Sequence, residues 1–306
     1  MKGKRILVTG ATGFIGSNII KSLVDKNEVT GIDSFEYSDR KNTADIQKSI
    51  NFIEGDVSKW ETFRKVPKDI DYVFHFGAPS SIILYNDNLR LCYNETVNGA
   101  LNVFQFAKEN NVGKLVQPSS GSIYAGNKFP HSESVYPAPM NSYAAAKMAC
   151  EGIAAFYSGS VKSVSLRIFA GYGYREEKKG RFASVVYLFM KDMMSGKAPL
   201  VMGNGEQERD FVFIEDVVGA AVKAADVDYT GIVNVGTGSP TSFNSLIKTI
   251  ADVTGKDVKP QYIPKASAYV ERLKADTALM QKVLGMKPMG LREGVSKFYD
   301  YLRVMK

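Results

Sequence analysis

The sequence predicts an α/β fold, a doubly wound parallel sheet with a smaller C-terminal α/β region. Short β-rich runs alternate with longer stretches of helical period, the first run leads into a glycine-rich turn, and the alternation loosens from about Gly171 onward. The runs occupy residues 6–9, 28–33, 51–57, 72–78, 115–119 and 164–168, the rhythm of parallel strands covered by helices on both faces. After the first run, Ile15, Ile19 and Leu23 recur every four residues with Ile20 and Val24 beside them, so one apolar stripe of a helix packs on the sheet. Beyond Gly171 come a Lys/Glu-rich turn, a helix-like run over 182–194, a glycine turn at 203–205, and Pro240, Pro260, Pro264 and Pro288. Residues 232–236 read as one more buried strand that returns to the first sheet. The expected division is therefore a first domain over 1–170 that also receives about 205–238, and a second region over 171–306. There is no internal repeat or low-complexity tract.

Composition narrows the function. A chain of 306 residues, 44% hydrophobic and 23% charged, has material for a large core in one or two domains. The net charge of +7 favours anionic ligands, but the basic residues are scattered. The densest cluster, Lys178-Lys179-Gly180-Arg181, reads as a solvated loop, so nucleic acid is not expected. Two cysteines, Cys92 and Cys150, exclude a disulfide-stapled scaffold and a multi-cysteine zinc site, and point to a reducing, cytoplasmic setting. No apolar stretch approaches the roughly 18 residues that span a bilayer, and no signal peptide is expected. His75 and His131 are the only histidines, too few for a histidine-rich metal centre, and no metal is expected.

The turn Thr9-Gly10-Ala11-Thr12-Gly13-Phe14-Ile15-Gly16 lies between the first strand and the first helix. Glycines there let the backbone turn tightly and approach a pyrophosphate, whose charge meets free N–H groups at the helix N-terminus. This is a Rossmann-type dinucleotide site with the spacing G-x-x-G-x-x-G. Asp33 ends the second strand, where a carboxylate accepts hydrogen bonds from the adenosine ribose and repels a 2′-phosphate; NAD is favoured, with Arg40 and Lys41 keeping NADP as the alternative. Asp56 and Val57 after the third strand, and Phe76, Gly77 and Ala78 after the fourth, fall at strand C-termini where ligands of open α/β sheets bind. His75 reads as a satisfied sheet residue.

Tyr143 and Lys147 follow the cap Asn141-Ser142 and lie one helical turn apart on one face. An ammonium beside a phenol, helped by the positive charge of an oxidised nicotinamide, lowers the phenol pKa toward that of a general base. The serine cluster Ser119-Ser120-Gly121-Ser122 directly after the fifth strand offers a hydroxyl to hold a reacting oxygen near the tyrosine.

Taken in order, the turn, Asp33, Gly55-Asp56-Val57, residues 119–124, Tyr143 with Lys147, the stretch 205–212 and Asn234-Val235-Gly236-Thr237-Gly238 resemble the extended short-chain dehydrogenase/reductases, in particular nucleotide-sugar epimerases of the UDP-glucose 4-epimerase type. The resemblance implies that Tyr143 is the general base, that Lys147 orients the nicotinamide ribose, and that Ser120 completes the triad with Ser122 as a second helper. It further implies that bound NAD oxidises the sugar at C4 to a 4-keto form and returns the hydride to its other face. Ser80 and Ser122 join Tyr143 and Arg209 on the substrate side, with Arg209 as the diphosphate-binding arginine.

Departures from the family pattern are equally readable. Gly121 and Ser122 stand where dehydratases carry an acid and where another branch carries a cysteine, which disfavours elimination. Ala170 replaces the asparagine of R-x-F-N, Thr96 stands at the family's helix asparagine, and 266–269 lack the Arg and Asp of the C-terminal motif, with Arg272 as the compensating cation. A nucleotide-diphosphate sugar is the expected partner, and a homodimer through the Y-x-x-x-K helix and the preceding helix, with Val97, Leu101, Phe104 and Phe106, the expected assembly. The alternatives are an NDP-4-ketohexose reductase or NDP-sugar C4 dehydrogenase on the same residues and, more remotely, a non-catalytic NAD-binding sensor.

Overall fold

A computed structural model describes residues 1–265 and 270–304. The position aligned with the family's C-terminal motif, 266–269, lies outside the described residues. Seven parallel strands form one sheet: Arg5–Thr9 (β1), Glu28–Asp33 (β2), Ile50–Glu54 (β3), Tyr72–His75 (β4), Lys114–Ser120 (β5), Ser163–Ile168 (β6) and Gly231–Val235 (β7), in the spatial order β7-β6-β5-β4-β1-β2-β3. Strand β7 pairs with β6 in parallel register, Val233 opposite Leu166. Val and Ile dominate these strands because both faces are covered by helices.

On one face, the helix Phe14–Leu23 (α1) buries Ile19, Ile20 and Leu23 in a core shared with Val217, Val218 and Ala221 of the helix Ile214–Asp226. On the other, Leu89–Glu109 (α2) packs beside Ser142–Phe156 (α3), and Val103, Phe104, Phe106 and Ala107 join Leu7, Val73 and Leu115 in a second core. Phe104 and Phe106 therefore belong to the core rather than to an exposed face. Two runs read as strands end early: β3 stops at Glu54 and β4 at His75. Residues 55–57 and 76–78 leave the sheet as backbone and side chain turned toward a shared crevice.

Outside the seven-stranded sheet the remaining strands form short pairings: Ala170–Tyr172 with Phe211–Phe213, Leu200–Met202 with Gln261–Ile263, and Glu208–Arg209 with Thr241–Ser242. Helix Val185–Met194 begins at Ser184, whose hydroxyl accepts from Tyr187 N–H, three residues inside the run that hydrophobicity alone marks from 182. Among the described residues, no helix is long and apolar enough to cross a membrane.

Candidate active site

Strand order reverses between β1 and β4, and outside their C-terminal ends opens a cavity of about 820 Å³. The glycine turn forms its floor. Gly10 takes a φ of 68°, and a methyl group there would stand 2.5 Å from the Phe76 carbonyl oxygen. A methyl on Gly16 would stand 2.0 Å from the Gly10 carbonyl oxygen, so the turn closes only with glycine at both positions. Gly13 caps α1 without a side-chain hydrogen bond, which leaves the first-turn N–H groups of Phe14 and Ile15 to an anion.

Asp33 is held at the cavity wall by three donors: Thr12 N–H at 2.9 Å on one oxygen, Phe35 N–H and the Ser38 hydroxyl at 2.9 Å each on the other. Arg40 pairs with Glu54 and lies 4.1 Å from the centre of the Phe35 ring. Asp56, Val57, Phe76, Gly77 and Ala78 line the same end of the cavity. His75 meets the Thr9 hydroxyl at 2.7 Å, and burial, reinforced by the Lys147 charge, brings its pKa down to about 3. The imidazole stays neutral and holds the Thr9 hydroxyl, which also accepts from Gly77 N–H.

Further along, Ser120, Tyr143 and Lys147 share one wall. The Asn141 side chain caps α3 by accepting from Ala144 N–H at 2.9 Å, and the helix then carries Tyr143 and Lys147 on one face, the ammonium 5.9 Å from the phenol ring centre. Tyr85 fixes the tyrosine ring edge-on at 5.6 Å. The Ser120 and Ser122 hydroxyls lie 2.8 Å apart, and Ser120 also accepts from Ser122 N–H. Burial pushes the Tyr143 phenol up, opposed by a hydrogen bond from Ser120, and the same burial pushes the Lys147 ammonium down. The proximity of the ammonium thus does not by itself lower the phenol, because desolvation acts on both groups. Behind this wall Arg167 grips Glu151 through two bonds of 2.8 and 2.7 Å and donates to the Tyr124 hydroxyl, a buried brace between α3 and the sheet.

Ser80, Ser122, Ala170 and Arg209 line the far part of the cavity. Arg209 is steadied by the Glu208 carbonyl at 2.8 Å and by the Phe243 ring. Arg272 does not line the cavity: it pairs with Glu208 and stacks on Phe129 at 4.2 Å. Several cavity residues escaped the sequence reading, Lys179 and Glu95 among them. Lys179, read as part of a solvated loop, turns into the cavity, because the buried Glu176 carboxylate accepts from Gly173 N–H and from Ser184 and folds the loop back. Glu95 lines the cavity; burial, with Glu36 and Asp56 nearby, raises its pKa to about 7. Its signal was the 3–4 spacing of Cys92, Glu95, Thr96 and Gly99 on the buried face of α2.

A parallel sheet with a glycine cradle and an acidic ribose site at its switch point defines a dinucleotide-binding α/β protein. The family model described as the NAD dependent epimerase/dehydratase family matches residues 6–236, and the chain belongs to that family, within the nucleotide-sugar epimerase branch of the extended short-chain dehydrogenase/reductases. UDP-glucose 4-epimerase of Mycolicibacterium smegmatis is 30% identical to it, over 98% of this chain and 98% of its own. Among solved structures, UDP-N-acetylglucosamine 4-epimerase from Methanobrevibacter ruminantium, in complex with UDP-N-acetylmuramic acid, aligns over the full length of both chains with a TM-score of 0.93 at 28% identity. UDP-glucose 4-epimerase from Thermotoga maritima, with UDP-glucose, aligns over 98% of this chain and 99% of its own with a TM-score of 0.92 at 28% identity. The cofactor is NAD, and the residues fit it: the glycine cradle has room only for backbone, and the Asp33 carboxylate at the end of β2 would take the ribose hydroxyls.

Proposed function

We propose that the protein is an NAD-dependent 4-epimerase of a nucleotide-diphosphate sugar, of the UDP-glucose/UDP-galactose type. The observation that carries this reading is the convergence of Ser120, Tyr143 and Lys147 on one wall, between the cofactor cradle at one end and Arg209 at the other. Bound NAD supplies a hydride acceptor that returns the hydride, and a positive ring charge beside the phenol. Tyr143 removes the proton of the C4 hydroxyl and gives it back, Ser120 and Ser122 hold the C4 oxygen, and Lys147 holds the nicotinamide ribose. Arg209 grips the diphosphate and Ser80 adds a hydroxyl on that side, while Arg272 contributes by fixing Glu208 next to Arg209. Residues 1–170 with about 205–238 hold the cofactor, and 171–306 mainly shape the substrate side.

Ala170 in the cavity wall, where the family's asparagine would stand, supports a second reading as an NDP-4-ketohexose reductase or C4 dehydrogenase. Incubation with UDP-, GDP- and dTDP-sugars without added cofactor, followed by NMR and by nicotinamide absorbance, separates the two. Conversion to a C4 epimer with no net NADH is expected; a stalled reaction that resumes only with added NAD or NADH and gives a keto sugar or its reduced product establishes the second reading.

The α2–α3 face supports a homodimer: Leu89 and Leu101 are 49% and 41% exposed, beside Tyr93, Val97 and Ala145. The free, buried Cys92 and Cys150 agree with a reducing, cytoplasmic setting.

A further inference from the structure

One segment of the second region reaches across the cavity and is tied to the cofactor-binding lobe at four points. The Tyr174 carbonyl accepts from the Asn18 amide of α1 at 2.9 Å. The buried Asn42 amide donates both to the Arg175 carbonyl at 3.2 Å and to the Thr12 carbonyl of the glycine turn at 2.9 Å. The Arg175 guanidinium meets both oxygens of Asp45, at 2.8 and 3.0 Å, and Asp45 also takes Lys21 of α1. Lys178 lies 3.9 Å from Asp39 at the cavity rim. Arg175 adopts a φ of 69°, a left-handed backbone that is strained for a non-glycine residue and that these contacts hold in place.

The same segment delivers Lys179. Its ammonium stands 5.4 Å from the centre of the Phe14 ring, at the first residue of α1, and among the described residues no carboxylate lies within ion-pair distance of it. The nearest acids in sequence are engaged elsewhere: Glu177 accepts from the Tyr301 hydroxyl, and the buried Glu176 carboxylate, whose charge the ammonium feels across the loop, accepts from Gly173 N–H and from Ser184. A cation at a helix N-terminus faces a positive partial charge, an arrangement that costs energy unless an anion lies between them. The glycine turn meets the pyrophosphate with N–H groups alone. We propose that residues 174–179 form a clamp over the bound dinucleotide, with the Lys179 ammonium on its pyrophosphate, which keeps NAD on the protein between turnovers.

The importance of retention for turnover rests on the epimerase reading; the clamp itself does not. The test measures release of labelled NAD from the purified full chain into excess unlabelled NAD, with no sugar present, together with the affinities for ADP-ribose and adenosine. For Lys179→Met, NAD release about tenfold faster is expected, with a matching loss of ADP-ribose affinity and unchanged adenosine affinity. Lys179→Arg restores slow release. Asp45→Asn, which loosens the anchor outside the cavity, speeds release about threefold with adenosine binding unchanged. Unchanged release in Lys179→Met overturns the clamp, and if a nucleotide-sugar KM rises instead, the ammonium serves the sugar. Were Lys179→Met not to fold, unchanged release in Asp45→Asn would overturn the clamp equally. Absence of turnover with every sugar, while release still responds to Lys179, defeats the epimerase reading and leaves the clamp standing.

Discussion

The two ends of the cavity are built by different means. At the cofactor end, the walls are backbone at the tips of β1 to β4, and the tight contacts admit only glycine at Gly10 and Gly16. At the other end, Ser80, Arg209 and Leu273 arrive on separate segments of the chain, Arg209 steadied by the ring of Phe243. A site made of backbone geometry is written in local sequence and tolerates little change, whereas a site made of side chains on loops is free to change its ligand. The family relation agrees with this: the family is described as NAD dependent, while relatives aligned over nearly the whole chain are named for different UDP-sugars.

The contrast predicts how each end breaks. Tyr143→Phe removes the proton acceptor where the two ends meet, and turnover should fall by about 10³-fold or more with NAD affinity unchanged; steady-state rates beside NAD titration check it. Gly16→Ala forces a methyl into the Gly10 carbonyl, and should cost about 3 kcal/mol of stability in urea melts together with most NAD binding. Arg209→Ala acts on the other end alone: the nucleotide-sugar KM should rise roughly ten- to hundredfold with NAD affinity intact. If Arg209→Ala weakened NAD equally, the two ends would not be separable.

The smallest expected effect concerns Glu95. In the folded protein its carboxyl keeps its proton up to about pH 7, against about 4.5 in the unfolded chain. The contribution of the neutral carboxyl is therefore full below pH 4.5 and is lost as pH rises through 7. Between pH 5 and 8 the wild type should lose on the order of 1 kcal/mol more stability than Glu95→Gln, measured by denaturation at each pH.

What the sequence shows follows the same division. The β-rich runs, the stripe Ile15-Ile19-Leu23 and the capped Tyr143–Lys147 helix depend on neighbours a few residues away, and the fold they predict is the one observed. The strands end at Glu54 and His75, short of the sequence runs, because Val57, Phe76 and Ala78 beyond them are apolar for the sake of the cavity, not the sheet. Lys179 looked like solvated surface because the turn of its loop depends on Glu176 reaching Ser184, eight residues away. Phe104 and Phe106 looked available for an interface because hydrophobicity does not tell which helix face meets Phe63 and Leu115. Arg272 shows the same limit, since its partners Glu208 and Phe129 lie far off in the chain.

The central claim is that a hydride leaves C4 of the sugar and returns to the same carbon without escaping the cavity. It is tested most directly by supplying a UDP-sugar deuterated at C4, with no added cofactor, and following the label by mass spectrometry and NMR. The account predicts a C4-epimeric product that retains the deuterium, with no net reduced nicotinamide. Loss of the deuterium from the sugar, with labelled NADH released or a keto sugar accumulating, would contradict it.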